Sequence, residues 1–115
     1  MAQASEFLDY VVDQLGPVGG VAARRMFGGH GLFRDGTMFA IFAADTLYFK
    51  VDERNLADFE AAGAAPFTYM RAGKRVALSY YEVPAEVIDD ADDLAAWARK
   101  ALDAALKGRA GRRRR

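Results

Sequence analysis

Few residues of this 115-residue chain could carry out chemistry. It has one histidine, His30, and no cysteine, so cysteine nucleophiles, disulfides and thiolate metal sites are excluded. A lone histidine needs partner side chains to form a metal site or a triad, and neither Ser5 nor Ser79 lies in a nucleophile motif. The sequence therefore predicts a protein that is not an enzyme, with no catalytic, cofactor-binding or metal-binding residues.

The glycine-rich segment around His30 is a candidate anion-binding loop. Gly28 and Gly29 would expose backbone N–H groups, and Arg24 and Arg25 would supply positive charge. The alternative is a bulge or kink in a β-strand. The sequence favours this alternative, because the glycines lie between strand-like segments and do not open a helix.

Four aspartates near the last predicted helix form a second cluster with possible chemistry, Asp89, Asp90, Asp92 and Asp93. A calcium loop needs ligands at defined alternate positions and a glycine at its bend, which this segment lacks. Acidic residues at the start of a helix interact favourably with its dipole. The cluster is therefore interpreted as a helix start.

The neutral net charge conceals a basic C-terminal tail. Residues 1–108 hold 11 basic and 16 acidic side chains, and the last seven residues hold five arginines, Arg109, Arg112, Arg113, Arg114 and Arg115. The tail has almost no apolar residues, so residues 108–115 are predicted to be disordered. These arginines are a candidate contact for nucleic acid or an acidic partner; the alternative is a solubilising terminus that binds nothing.

Hydrophobic periodicity predicts the elements that position these residues. Helices are expected over residues 5–15, 52–62 and 92–107, with one helical turn at 84–88. Strands are expected over residues 26–33, 37–43, 46–51, 67–71 and 75–83, and residues 16–23 are expected to be a connector. The prediction is an α+β fold in which residues 1–107 form one domain around an antiparallel five-stranded sheet, in the order α-β(3)-α-β(2)-α.

The predicted strand 37–43 has apolar residues at both its odd and its even positions, and therefore on both of its faces. Such a strand is either covered on both faces or forms an interface on one of them. Met38, Phe39, Ile41 and Phe42 are therefore candidate interface residues for a protein partner or a homodimer, unless helices or loops of the same chain cover them.

No segment of the sequence predicts an association with a membrane. The first 16 residues carry Glu6, Asp9 and Asp13 within their apolar pattern, unlike a signal peptide, and no apolar run reaches the length of a membrane helix. The absence of cysteine is compatible with a reducing compartment, and we expect a cytoplasmic protein.

Several motifs together resemble a known family. They are RRMFGGHGLFRDGTMFAIF, LYFKVDERN, FEAAGAAPFTYMRAGKRVALSYYEVP and LAAWARKAL. In order and spacing they are similar to the N-terminal domain of the TfoX/Sxy family, bacterial proteins named after a regulator of natural competence. The resemblance covers about residues 5–107 and implies an α-β(3)-α-β(2)-α domain similar to type III secretion chaperones.

The same resemblance implies a function without catalytic residues. It indicates a regulatory or protein-interaction domain like those of competence and transcription regulators. Full-length regulators of the family carry a second, helical domain, so we expect this chain to be a stand-alone N-terminal domain. The alternative function is a nucleic-acid-associated protein that binds non-specifically through its arginine-rich tail.

Overall fold

The computed structural model describes residues 3–26 and 28–113, with side chains described for residues 6–26 and 28–108. Its four helices are α1 (Gln3–Gln14), α2 (Leu56–Ala61), α3 (Ala85–Ile88) and α4 (Ala91–Arg113), and its six strands are β1 (Val21–Met26), β2 (Gly29–Arg34), β3 (Thr37–Ala43), β4 (Thr46–Lys50), β5 (Pro66–Arg71) and β6 (Lys74–Glu82). The predicted α+β class with an antiparallel sheet is confirmed.

The sheet has six strands and the element order is α-β(4)-α-β(2)-α-α, so the predicted count of five strands and the predicted order α-β(3)-α-β(2)-α were both wrong. Its order is β1-β2-β3-β4-β6-β5, and every neighbouring pair is antiparallel. The predicted strand 26–33 is divided between β1 and β2, and β1 begins at Val21, within the predicted connector. The chain reverses so tightly that Met26 pairs with Gly29, and Gly28 takes the positive φ of 81° that suits glycine in such a turn. Phe27, which belonged to the predicted strand, lies outside the described residues.

A bulge or kink was predicted at Gly28, Gly29 and Gly31, but the irregularity lies in the pairing of β2 with the next strand, β3. Pairing between β2 and β3 moves from Leu32 with Ala40 to Phe33 with Met38, so β3 has one extra residue, Phe39. Phe39 and Ala40 are consequently both fully buried although they are neighbours in the chain. The extra residue thus places residues of both alternations, Phe39 and Ala40, in the core.

Helices cover one face of the sheet, and the hydrophobic core lies between this face and the helices. Phe59 of α2 packs edge to face on Trp97 of α4 with ring centroids 4.8 Å apart, and on Tyr81 of β6 at 6.0 Å. The largest fully buried apolar side chains come from both layers: Phe39, Phe49, Phe59, Leu15, Leu32, Leu47, Leu94 and Val11. A single core of this kind fits a chain of this length.

Helix α4 begins and ends differently from the predicted 92–107. Asp90 is its N-cap, since its Oδ1 accepts the backbone N–H groups of Asp92 and Asp93, both at 3.1 Å. The backbone stays helical through Arg113, whereas disorder was predicted from residue 108. Extending an existing helix adds a hydrogen bond per residue without a new nucleation cost, and arginine and alanine are good helix formers. Arg114 and Arg115 lie outside the described residues.

Helix α2 is shorter than predicted because its first residues form a turn held by Asn55. This side chain is 2 % exposed. Its Nδ2 donates to the carbonyl oxygen of Lys50 at 3.1 Å, and its Oδ1 accepts the N–H of Asp52 at 2.8 Å. The turn therefore fixes how the chain leaves β4.

None of the helices in the described ranges is both long and apolar enough to span a membrane.

Candidate interaction surface

The face of the sheet opposite α1 and α4 carries an apolar groove of about 490 Å³. We call this face the open face. The groove is lined by Met26, Gly29, His30, Gly31, Met38, Ile41, Ala43, Phe67, Tyr69 and Leu78. Five strands, β1, β2, β3, β5 and β6, therefore contribute to one concave surface.

The pairing of β1, β2 and β3 brings two methionines together in the floor of the groove. A Cβ placed on Gly31 would lie 2.7 Å from the sulfur of Met38 and 2.8 Å from that of Met26. Gly31 thus leaves space for two thioether side chains, whereas Gly28 supplies the positive φ of a turn. These flexible side chains give the groove an adaptable floor.

Aromatic side chains form one wall of the groove. Tyr48 and Phe67 meet edge to face with ring centroids 5.0 Å apart, and Phe67 stacks on Tyr69 at 6.4 Å. Tyr69 is 37 % exposed. Because side chains alternate along a strand, Tyr48, Phe67 and Tyr69 share the face that α1 and α4 leave uncovered.

The charged residues of the strands are mainly basic. The strands contain one acidic residue, Glu82, and seven basic residues, Arg24, Arg25, Arg34, Lys50, Arg71, Lys74 and Arg75. By strand alternation, Arg24 lies on the open face at the β1 side, and Arg71 and Lys74 lie on it at the β5–β6 turn. The open face is therefore apolar at its centre and mainly basic at two ends.

Two further charged residues belong to the open face by their pairing. Glu82 lies opposite Tyr48 in the β4–β6 register. Lys50 lies opposite Tyr80; its Nζ is 5.3 Å from the centroid of that ring and donates to Ser79 Oγ at 2.9 Å. The Lys50 charge is thus directed to groups of its own chain.

The structure separates the four predicted interface residues into two pairs. Met38 and Ile41 line the groove. Phe39 and Phe42 are 0 % and 2 % exposed and belong to the core, where Phe39 contacts Phe49 at 5.9 Å. The extra residue in β3 turns Phe39 inward beside Ala40. The interface expectation for Phe39 and Phe42 is corrected accordingly, because a partner cannot reach them.

The candidate anion loop is not brought together as one site. Arg24 lies on the open face with its guanidinium carbon 4.7 Å from the centroid of Phe33, whereas Arg25, the next residue, faces the other side. A small cavity of about 290 Å³ is lined by Arg25, Gly28, Gly29 and His30, but Asp45 lines it as well. Its carboxylate would repel an anion, and this geometry gives the anion hypothesis no support.

The aspartate cluster has structural roles at the start of α4. Asp90 caps the helix, and Asp89 accepts a hydrogen bond from the hydroxyl of Tyr10 at 3.0 Å. That hydrogen bond raises the pKa of Tyr10. Among the residues that the structure describes, no three histidine, aspartate or glutamate side chains are grouped to hold a metal ion.

Another cavity, of about 670 Å³, lies between α1 and β1. Glu6, Asp9 and Asp13 line it, with Leu8, Val12 and Ala23 among its other residues. The three carboxylates of its lining make it an acidic surface crevice.

The arginines of the tail remain a prediction. Arg109, Arg112 and Arg113 lie in the last turns of the α4 backbone, but their side chains, and the whole of Arg114 and Arg115, are outside the description.

Sequence reasoning missed Tyr48, Phe67 and Leu78 as members of the surface. Side-chain alternation could have identified them, because a strand residue that lies between two core residues points to the opposite face of the sheet. Leu47 and Phe49 are buried, so Tyr48 between them must point away from the helices.

Comparison with known proteins identifies the family. Residues 13–105 match the family model described as the TfoX N-terminal domain. The chain is also 29 % identical over 100 residues to Protein Sxy of Escherichia coli (strain K12), in an alignment that covers 87 % of this chain and 48 % of that relative. The chain thus spans about half the length of the curated relative it matches. Since the family match extends from the end of α1 through most of α4 and includes the whole sheet, the chain belongs to the TfoX N-terminal domain family.

Proposed function

We propose that this chain is a non-enzymatic regulatory domain that acts by binding another protein, as a component of transcription or competence regulation of the TfoX type. The observation that carries the proposal is the groove on the open face. An apolar surface of this kind that the chain's own helices leave uncovered is typical of a site of protein interaction. We place the domain in the cytoplasm, where a transcription regulator would act.

The composition of the groove supports a binding role over a catalytic one. Its lining contains one histidine, His30, and no carboxylate, lysine or serine. General acid–base or nucleophilic catalysis needs at least a pair of such groups within hydrogen-bond reach. The groove has instead the apolar lining with few polar groups that recognition sites share.

Affinity capture from the source cells, combined with transcript measurement, tests this function. The full chain is expected to retain the same specific protein across growth conditions, and deletion of the gene is expected to change a defined set of transcripts. Capture of no specific protein, together with unchanged transcripts, would contradict the proposal. Leu78→Glu, in the groove, and Leu106→Glu, on the exposed side of α4, form a matched pair for locating the contact.

The tail supports a second candidate function, non-specific association with nucleic acid. Five arginines in seven residues give a local charge of about +5. Phosphate neutralisation by such a segment does not depend on sequence and weakens steeply with salt. Removal of residues 109–115 would separate this function from the first, since the groove lies in the folded domain.

A further inference from the structure

We infer that the occupant of the groove is an acidic segment of a partner protein that inserts at least one large apolar side chain. This inference rests on the proposed function and specifies the chemistry of the partner. It is carried by two properties of the same face, its apolar centre and the charges at its ends.

The apolar centre requires an apolar anchor. Met26, Met38, Ile41 and Leu78 offer thioether and aliphatic groups to a space of about 490 Å³. Burial of a Leu, Ile, Phe or Met side chain there would remove its apolar surface from water, which favours binding. Because the methionine side chains are flexible, the groove can accept anchors of different shape.

The charges select an acidic segment around that anchor. Arg24 is at one end of the open face and Arg71 and Lys74 are at the other, and all three are exposed. Glu82 is the one acidic strand residue on this face. Charges at the rim of an interface act mainly on association rate and partner choice, so these residues attract acidic segments and reject basic ones.

A second copy of this chain fits the groove less well. In a two-fold dimer the open face of one copy would contact the open face of the other, and the basic ends of both faces would lie in the same interface. Helix α1 carries Glu6, Asp9 and Asp13 and no basic residue, so a contact between the open face of one copy and this acidic helix of another would be head to tail. Such a contact does not close and leaves one groove empty.

Single-stranded nucleic acid also fits less well, although the face is basic. Bases bind sheets of this kind by stacking on free aromatic faces. The ring of Phe33 is occupied by the guanidinium of Arg24 at 4.7 Å, and Phe67 contacts both Tyr69 and Tyr48. The rings of the open face are therefore largely engaged with groups of the same chain.

Selection from a library of random peptides against the immobilised full chain tests the inference. The enriched peptides are expected to combine acidic residues with one or more large apolar residues. A synthetic copy of one enriched peptide is then compared with two variants, one with its acidic residues changed to lysine and one with its apolar anchor changed to serine. Both variants are expected to bind about 10-fold more weakly or worse.

Protein variants locate the binding site. Leu78→Glu and the double change Arg71→Glu with Lys74→Glu are each expected to weaken the peptide by about 10-fold or more. Leu106→Glu and Arg34→Glu are matched controls outside the open face and are expected to leave it unchanged. Thermal unfolding of every variant confirms that the fold is kept.

Three results would overturn the inference: enrichment of basic peptides or of none, peptide binding that survives Leu78→Glu, and displacement of the peptide by a second copy or by oligothymidylate. If cellular capture identifies a partner whose binding survives Leu78→Glu, the proposed function stands and this inference fails. If capture and transcript measurement fail while peptides still bind the groove, the regulatory function fails and the peptide chemistry stands.

Discussion

Tyr48 of β4 and Phe67 of β5 meet edge to face, with ring centroids 5.0 Å apart, across β6, which separates their two strands. The contact lies on the open face. It joins the meander β1–β4 to the hairpin β5–β6 on the side of the sheet where α1 and α4 cannot do so. The aromatic wall of the groove is thus also a connection between the two parts of the sheet.

A double-mutant cycle on this pair is expected to show coupling. Tyr48→Leu and Phe67→Leu keep an apolar side chain but remove the ring contact, so the coupling energy should be about 0.5–1.5 kcal/mol in urea unfolding. If the two changes in unfolding free energy add to within about 0.3 kcal/mol, the rings do not stabilise the sheet as a pair.

The buried amide of Asn55 is expected to be the most sensitive polar side chain of the fold. Asn55→Ala leaves the Lys50 carbonyl and the Asp52 N–H without their partner, which should lower the unfolding free energy by about 2 kcal/mol or more. Urea unfolding measures this loss.

Asp58→Ala is the control for Asn55→Ala. It removes an exposed ion pair in which Lys100 Nζ lies 2.9 Å from Asp58 Oδ2. Such a pair contributes at most about 1 kcal/mol, so its removal should cost clearly less. Equal losses in the two variants would contradict the structural role given to Asn55.

The local residue pattern was sufficient to predict most helices and strands but not the number of strands. The strong Asp35-Gly36 signal marks the β2–β3 hairpin as expected, with Asp35 and Gly36 both at positive φ. Gly28 also lies in a hairpin turn, between β1 and β2, but the adjacent glycines Gly28 and Gly29 are equally compatible with a bulge. Which one forms depends on whether Val21–Ala23 pairs with β2, a tertiary contact that the local sequence does not specify.

The candidate surface was predicted in part for a similar reason. The apolar residues of β3 suggested an interface on one of its faces, and two of the candidate interface residues, Met38 and Ile41, line the groove. Assigning Phe39 and Phe42 to the core requires the position of the extra residue at Phe39, which depends on the register with β2. Residue pattern alone does not determine that register.

Acid should weaken the fold partly through Asp52. Arg54 donates to Asp52 Oδ2 from Nε at 3.2 Å and from Nη2 at 2.9 Å, and these hydrogen bonds hold the pKa of Asp52 below its ordinary value. A carboxyl whose pKa is lower in the folded state stabilises the protein above its unfolded pKa of about 3.9, and this contribution is lost as the pH falls through the folded pKa.

As the pH falls from about 5 to about 3, the free energy of unfolding of Arg54→Ala should therefore decrease less than that of the parent protein. Urea midpoints measured across this pH range test the expectation. Lys107→Ala tests a second carboxylate in the same way, since Lys107 donates to Glu53 at 2.6 Å and lowers the pKa of that carboxyl. An unchanged pH dependence in Arg54→Ala would contradict the contribution of Asp52.

The tail should account for any non-specific binding of nucleic acid. Full-length protein titrated with a random duplex should lose affinity with salt at a log–log slope of about −4 for five neutralised phosphates. Deletion of residues 109–115 should abolish the binding, because residues 1–108 are acidic overall. Persistent binding by the shortened chain would instead indicate the basic residues of the strands.

Methyl NMR of the methionines tests the central claim, that the open face binds the partner, most directly. Met26 and Met38 line the groove, whereas Met70 is 62 % exposed and lies on the opposite face of β5. When the full chain, ¹³C-labelled at its methionine methyl groups, is titrated with the captured partner or an enriched acidic peptide, the Met26 and Met38 resonances are predicted to shift or broaden at the lowest additions, and Met70 is predicted to stay in place. A ligand that binds while Met26 and Met38 remain unchanged would contradict the account.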